Sequence, residues 1–266
     1  MADRYTSQIA LVLDRAVDDV AELVRAAGAS KDLDRAAAVR DEGMRAQEVH
    51  WGGRMQKAIV RALVDDDQPL LRTETYVGAD GLEHGLQRQA QLLQGLSRHL
   101  RGNIIGVRDL SAQTDRDEAW MNRVAVGVVD YDDAIVVRHE GVGTWWVRTH
   151  GAARFDVPDL ELYGLNRGQV DAAVAMLRVI HEQLLRTGLK TPLRLADDTP
   201  VYLVPVLEAW QQLPFEWPGV GRAGQDRGDG LDGPRATLSV LHRPRFGRYR
   251  RDLAGVIERV PAHEPR

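Results

Sequence analysis

The chain has 266 residues, 44% hydrophobic and 28% charged, which suits one large or two small domains and excludes extensive disorder. A formal net charge of −4 gives no general attraction to nucleic acid or to an anionic membrane. The absence of cysteine excludes disulfides, thiolate metal sites and a cysteine nucleophile. No apolar run approaches the roughly 20 residues of a membrane helix, and the first residues do not form a signal peptide. We therefore expect a soluble cytoplasmic protein, and the scarcity of lysine beside arginine is typical of a GC-rich bacterium.

Hydrophobic periodicity and capping residues predict alternating strands and helices along the chain. The segment 48–64 fits both a helical stripe and a strand. Thr114 with Asp117, and Asn166 with Gln169, have the spacing of a helix capping box. The predicted elements are, in chain order, a strand over 9–13, a helix over 14–28, a strand over 70–77, a helix over 84–100, a strand over 104–107, a helix after Thr114, a buried strand over 134–137, its hairpin partner over 144–148, a helix over 166–187, and strands over 201–206 and 236–241.

This order of elements predicts an α+β fold. Strand-helix-strand units are expected over 70–107 and 104–137, which indicates mixed or antiparallel sheets with ferredoxin-like units and packed amphipathic helices. Residues 1–241 are expected to form the globular domain, either as one body or as two subdomains that meet near residue 110. An Arg-rich segment, 242–266, follows.

Several short motifs match catalytic patterns by letter and lack their structural context. The run 219–224 spells G-x-G-x-x-G, but no strand precedes it and no helix follows, so we interpret it as a surface loop. His181-Glu182 begins the H-E-x-x-H zinc pattern and lacks the second histidine, which indicates a buried, hydrogen-bonded histidine. No serine lies in a G-x-S-x-G context. We therefore expect no metal and no cofactor.

The segment 144–165 carries the strongest functional candidates. Adjacent strand residues point to opposite faces, so one tryptophan of the pair at 145 and 146 should lie in the core and the other should face outward as an interface anchor. His150 could act with Asp156 or Glu161 as an acid–base pair or as metal ligands. The alternative, which we favour, is that Gly151 forms a backbone corner whose polar neighbours satisfy loop backbone. The candidate residues are Trp145, Trp146, Thr149, His150, Asp156 and Glu161.

A basic segment near the end of the chain is the second candidate site. Arginines with interleaved aromatic residues suit an acidic protein partner, and they also suit nucleic-acid phosphates and bases. The residues concerned are Arg243, Arg245, Phe246, Arg248, Tyr249, Arg250 and Arg251.

One stretch resembles segments of bacterial families of unknown function. The shared pattern, W-x-x-T-H-G-x-x-R-F-x-x-P-x-L-E, is carried by Trp146, Thr149, His150, Gly151, Arg154, Phe155, Pro158, Leu160 and Glu161. The resemblance implies a module that binds a protein or a small ligand, with an immunity-like role as one form, and it transfers no catalytic residue. The leading hypothesis is thus a non-enzymatic interaction protein that binds a protein partner, with self-association open. The alternatives are a hydrolase or other enzyme using His150 and a nucleic-acid binder using 242–251.

Overall fold

A computed structural model describes residues 7–27, 35–41, 44–50, 57–75, 82–189, 192–194, 200–211, 213–218, 220 and 237–242. The chain divides into two compact units, Met1–Ala134 and Ile135–Arg266. Each unit combines helices with a sheet, which confirms the predicted α+β class.

The described strands of the first unit form one sheet whose neighbours are all antiparallel. They are β1 Ser7–Leu13, β2 Arg35–Asp41, β3 Met44–His50, β4 Lys57–Asp65, β5 Gln68–Thr75, β6 Ile104–Asp109 and β7 Thr114–Arg116. Their order across the sheet is β2-β3-β4-β5-β1-β6-β7. The ambiguous segment 48–64 contributes the end of β3 and most of β4, so its helical interpretation is wrong for the described residues.

Four described helices accompany this sheet, and the longest packs on its centre. They are α1 Val20–Ala27, α2 Leu82–His99, α3 Glu118–Ala125 and α4 Tyr131–Ala134. Helix α2 contacts β1 and β5 and also packs against α1 and α3. It buries Leu86, Leu93 and Leu96, as its predicted apolar stripe requires.

Two helix starts in this unit differ from the prediction. Helix α1 begins at Val20 rather than after Asp14, and the Asp19 carboxylate accepts a hydrogen bond from Glu22 N at 2.9 Å. At α3, Thr114 lies in β7 and Asp117 is the N-cap, whose Oδ1 accepts from Trp120 N at 2.6 Å. The predicted box failed because the chain stays extended through Arg116, which leaves Asp117 as the first residue able to cap.

One of the two expected strand-helix-strand units forms. Strand β1 lies between β5 and β6 and is antiparallel to both, so β5 and β6 run in the same direction and α2 connects them. The unit expected over 104–137 does not form, because β6 belongs to the first sheet and Val136 begins a strand of the second. A ferredoxin-like arrangement is not confirmed. Residue 110 lies inside the first unit, in the turn that joins β6 to β7.

The described strands of the second unit form a mixed sheet. They are β8 Val136–Val142, β9 Thr144–His150, β10 Leu160–Leu165, β11 Leu193–Arg194, β12 Pro200–Pro205 and β13 Leu238–His242. Their order is β11-β12-β13-β10-β9-β8. The β10–β13 pair is parallel and the other pairs are antiparallel.

Two described α-helices belong to this unit, α5 Val170–Thr187 and α6 Val206–Trp210. Helix α5 packs on β9 and β10. The predicted capping box before it is confirmed, because Asn166 N donates to Gln169 Oε1 at 3.0 Å. Gly188 ends it with φ +71° and donates its N–H to Leu184 O, as the sequence predicted.

The predicted hairpin forms, with Gly143 at φ +80° in its turn. A side chain at Gly141 would overlap the Thr144 carbonyl, so the close approach of the two strands requires glycine there. The first strand is not the buried one that the sequence indicated. Strand β8 is the edge of the described sheet, and its residues Arg138 to Glu140 are exposed.

Among the residues that the structure describes, no helix combines the length and the apolar character needed to cross a membrane.

Candidate functional site

One face of the second sheet carries a row of residues in register across four strands. Arg148 in β9 lies opposite Glu161 in β10, and Glu161 lies opposite Ser239 in β13. Ser239 in turn pairs with Val204 in β12. Residues that lie directly opposite each other share a face, so this row crosses the middle of the sheet and carries two opposite charges, Arg148 and Glu161, side by side.

The centre of this row is a buried polar cluster, which we define as Trp146, Arg148, Glu161, Tyr163 and Thr237. Glu161 and Arg148 have no exposed surface. Trp146 Nε1 donates to Glu161 Oε2 at 3.0 Å, and Arg148 Nη2 donates to Thr237 Oγ1 at 3.1 Å. The Trp146 and Tyr163 rings stack with centroids 6.3 Å apart. A buried carboxylate and a buried guanidinium on facing residues reduce the desolvation cost that either would incur alone.

Tyr163 extends the cluster toward α6. Its hydroxyl accepts a hydrogen bond from Trp210 Nε1 at 2.8 Å. Burial and the neighbouring Glu161 carboxylate raise the pKa of Tyr163, so the phenol stays protonated and serves as a structural hydrogen-bonding group.

His150 is buried in β9, with 3% of its surface exposed. Burial lowers its pKa to about 3, and the positive charges of Arg148 and Arg138 lower it in the same direction. A group with this pKa is neutral near pH 7 and cannot supply a proton there. Among the described residues, no hydrogen bond or ion pair joins His150 to Asp156 or Glu161.

The two carboxylates proposed as partners of His150 have different surroundings, although Glu161 shares a sheet face with His150 through its pairing with Arg148. Asp156 is exposed and follows a 3-10 turn, Ala152–Phe155, with φ +59°. Glu161 is held by the Trp146 indole. The use of His150 with Asp156 or Glu161 as an acid–base pair or as metal ligands stays a prediction from sequence.

The predicted backbone corner at Gly151 is confirmed, with φ +107°. Thr149 Oγ1 accepts from Leu160 N at 2.8 Å and donates to Asp159 Oδ1 at 3.2 Å. Ala152 N also donates to Asp159 Oδ1, at 3.0 Å. Thr149 and Asp159 together fasten the corner to the start of β10.

Asp159 is a site residue that sequence reasoning missed. Its burial raises its pKa to about 6, against the opposing effect of its hydrogen bonds and of Arg148. Its position next to the first residue of β10 was the available signal, because an acid at a strand end commonly receives loop N–H donors.

His181 fits the interpretation of a hydrogen-bonded structural histidine. It lies on the buried face of α5 without exposed surface, and its Nε2 is 3.0 Å from Pro158 O. Burial lowers its pKa to about 4.

All residues that carry the resemblance described above are buried. They are Trp146, Thr149, His150, Gly151, Arg154, Phe155, Pro158, Leu160 and Glu161. This pattern therefore builds the interior of the second unit. The surface available to a partner is formed by other residues.

That surface lies at the β8–β9 hairpin, and we call it the hairpin patch: Arg138, His139, Val142, Trp145 and Arg167. Trp145 is half-buried, whereas Trp146 is in the core, which confirms the predicted division of the pair. The Arg167 guanidinium lies 4.7 Å from the Trp145 ring centroid, and the His139 ring lies 5.7 Å from it. Val142 at the tip is 97% exposed.

No group of three or more His, Asp or Glu residues among the described ones is arranged to hold a metal ion. The basic candidates from Arg243 to Arg251 lie outside the described residues. Only His242 of that stretch is described, at the end of β13.

Comparison with known proteins found no family model, no curated protein and no solved structure that matches this chain.

Proposed function

We propose that this protein is a non-enzymatic interaction module that binds a partner protein through the hairpin patch and the outer edge of β8. The observation that carries the proposal is the placement of a half-buried tryptophan, Trp145, between Arg167 and His139 beside a strand that has one described neighbour only. Tryptophan and arginine are the residues most enriched in the energetic centres of protein interfaces.

The form of the edge supports recognition of an extended segment. Strand β8 pairs with β9 along its whole length, and in the described part of the chain nothing pairs with its other side. An exposed strand edge presents backbone donors and acceptors that a partner strand can complete. The charged residues of β8 protect such an edge from unspecific pairing and leave it open to a partner of opposite charge.

The charge of the patch favours an acidic partner. Arg138 and Arg167 are exposed cations. Arg138 lies opposite Arg148 and so faces the other side of β8 from His139 and Trp145, which places the two guanidinium groups on either side of the edge. Glu140 is the one exposed acid of β8. A partner segment with carboxylates near its backbone would match these guanidinium groups in bidentate hydrogen bonds. Binding of a toxin in an immunity-like role is one form this function could take.

The interior geometry favours binding over catalysis. His150 is neutral and buried, and Glu161 and Tyr163 are engaged in hydrogen bonds within the core. A hydrolase requires an acid or base that reaches the substrate, and His150 and Glu161 are both buried. Nucleic-acid binding through 242–251 stays a prediction from sequence.

Site-specific photocrosslinking tests the proposal. A benzoylphenylalanine in place of Val142 is expected to capture one protein from an extract of the source cells, whereas the same group at Val126 should not. Val126 is 72% exposed in the first unit and is therefore a matched position outside the patch. The captured protein is then purified and its Kd measured by calorimetry.

The expected Kd change separates specific from adventitious capture. The double variant Arg138→Glu/Arg167→Glu and the variant Trp145→Ala should each weaken binding about tenfold or more. The control Arg25→Glu, a single charge reversal on exposed α1, should leave the Kd within about twofold. Equal crosslinking at 142 and 126, or a Kd that the patch variants do not change, would refute the proposal.

A further inference from the structure

A cleft of about 580 Å³ lies in the first unit, far in sequence from the hairpin patch. It is bounded by the C-terminal part of α2, the first half of β6 and the start of α3. This volume falls within the range of about 300–1,000 Å³ that is typical of ligand sites.

Part of the cleft wall is a strand edge. Strand β7 is three residues long and pairs only with Val107, Arg108 and Asp109 of β6. The preceding residues of β6, Ile104–Gly106, have β1 on one side and no described strand on the other. The edge stays open because the chain leaves the sheet at Asp117 to begin α3. Ile105 is 61% exposed there.

The remaining walls are rigid and partly apolar. Leu11 and Met121 underlie the cleft and are buried. Gln94 of α2 donates from Nε2 to Asn122 Oδ1 of α3 at 2.9 Å, which ties the two helices together behind it. The cleft therefore exists before any ligand arrives, which lowers the entropic cost of binding.

The two ends of the cleft differ in charge. Arg98 and Arg101 line the end next to Ile104, and both are exposed. Arg98 holds one contact, from Nη2 to Gln94 Oε1 at 3.2 Å. Asp117 and Glu118 line the opposite end, next to Val107, together with Arg116. The Arg116 guanidinium donates to Asp133 O at 2.8 Å and lies 3.7 Å from Asp109 Oδ2. A ligand whose negative charge lies at one end would be oriented by this arrangement.

We propose that this cleft binds the C-terminal residues of a partner polypeptide as a short strand on Ile104–Gly106. A peptide that continues the direction of β7 runs antiparallel to β6 and ends beside Ile104. Its terminal carboxylate then meets the Arg98 and Arg101 guanidiniums, while a preceding side chain contacts Ile105, which is 61% exposed. At about 3.3 Å per residue, the open edge accommodates roughly three to four residues. Strand addition combined with capture of a chain terminus is an established mode of peptide recognition.

The probe is a synthetic pool of hexapeptides whose last four positions are randomised and whose carboxyl groups are free. Sequences enriched by the purified full chain are resynthesised with an N-terminal fluorophore, as free acids and as C-terminal amides. We expect the amides to bind about tenfold more weakly by fluorescence anisotropy, because they lack the charge that the arginines recognise. Amide NMR signals of Ile104, Ile105 and Gly106 should shift on titration with the free acid.

Paired variants locate the binding. Arg98→Glu/Arg101→Glu should weaken the free acid about tenfold or more and leave the amide nearly unchanged, while Arg25→Glu should leave both unchanged. Both replaced arginines are exposed, so circular dichroism should show an unaltered fold. The proposal is overturned if the pool yields no enriched sequence or if the free acid and the amide bind equally. It is also overturned if the protein forms a concentration-dependent dimer that Ile105→Glu abolishes, because the occupant of the cleft would then be a second copy of the chain. The site lies in the first unit, so none of these results bears on the hairpin patch.

Discussion

The two units bury polar groups in different ways. In the first, the central buried polar residue is Gln89, which accepts from Ser7 Oγ at 2.7 Å and donates to Thr73 O at 3.1 Å. In the second, Arg148 and Glu161 carry charges on the interior face of the sheet.

The positions of most charges differ as well, although the first unit also buries one carboxylate completely, Asp109, which lies 3.7 Å from Arg116 Nη2. Glu74 of the first unit pairs with Arg61 and Arg72, whose side chains keep 13% and 25% of their surface in solvent. Arg148 and Arg154 of the second unit keep none. A neutral buried network loses hydrogen bonds when it is cut, whereas a buried charge that loses its counterpart retains its full desolvation cost. Stability of the second unit should therefore be more sensitive to single polar substitutions and to pH.

The largest expected effect is that of Glu161→Ala. It leaves Arg148 buried beside an unbonded Trp146 indole, and we expect the free energy of unfolding of the second unit to fall by about 3–5 kcal/mol. Pulse proteolysis in urea, with peptides assigned to each unit by mass spectrometry, measures this. The control Glu182→Ala, at an exposed position on α5, should change it by less than about 0.5 kcal/mol. If Glu161→Ala lowers the free energy of unfolding by less than about 1 kcal/mol, the buried charges of Arg148 and Glu161 contribute little to the stability of the second unit.

The corresponding substitution in the first unit is Gln89→Ala. It removes the acceptor of Ser7 and a donor to Thr73, and we expect a loss of about 2–3 kcal/mol in the free energy of unfolding of that unit. Gln91→Ala, on the exposed side of the same helix, should cost less than about 1 kcal/mol. The same proteolysis assay compares the two variants. If Gln89→Ala costs as much as Glu161→Ala, the contrast between neutral and charged cores does not hold.

Acidification should destabilise the second unit first. The pKa values of His150 and His181, about 3 and about 4, lie below the ~6.5 of an unfolded histidine, so unfolding takes up protons. Their stabilising contribution is complete above about pH 6.5 and is lost as the pH falls toward the folded values, by up to ~1.4 kcal/mol per pH unit each. Asp159 has the opposite effect, because its pKa is raised to about 6 in the folded state. Its contribution to the free energy of unfolding is complete at low pH and is lost as the pH rises through that value.

Urea titrations between pH 7 and pH 5 test this linkage. His181→Gln should flatten the pH dependence of the second unit by about 1 kcal/mol per pH unit, and Asp159→Asn should steepen it. An unchanged slope for His181→Gln would mean that the folded state protonates this ring as readily as the unfolded chain does.

The smallest expected effects concern the helix caps. Asp117→Ala removes the acceptor of Trp120 N in the first unit and should cost about 1 kcal/mol. Asn166→Ala alters the capping box before α5 in the second unit and should cost a similar amount. Thr114→Ala, in contrast, should cost less than either, because Thr114 does not cap a helix. Equal losses in the free energy of unfolding for Thr114→Ala and Asp117→Ala would support the capping box predicted from sequence.

The sequence predicted local structure well and spatial relations poorly. The apolar stripe of α2, the box at Asn166 and the corner at Gly151 each depend on residues within about two turns of chain, so their signals are local. The position of His150 relative to Glu161 depends on the pairing of β9 with β10 and on the alternation of faces. Histidine and glutamate both suggest catalysis by their chemistry. Only their burial distinguishes a buried polar cluster from an active site.

The cleft beside β6 could not be predicted for the same reason. Nothing in the letters of Ile104–Gly106 reveals that the neighbouring strand ends after three residues. The hairpin patch was predicted in part, since the alternation of Trp145 and Trp146 is a property of any strand. Arg167 was missed because it reaches Trp145 from the segment that follows another strand.

The central place of β13 has a consequence for synthesis of the protein. Leu238–His242 lies between β10 and β12, although β10 precedes it by more than 70 residues. A nascent chain that has emerged only as far as β12 leaves the edges of β10 and β12 without the strand that joins them. Unpaired strand edges are prone to pair with other chains, and strand pairing between segments distant in sequence forms slowly. A chain truncated before Leu238 should therefore aggregate, however intact its hairpin is.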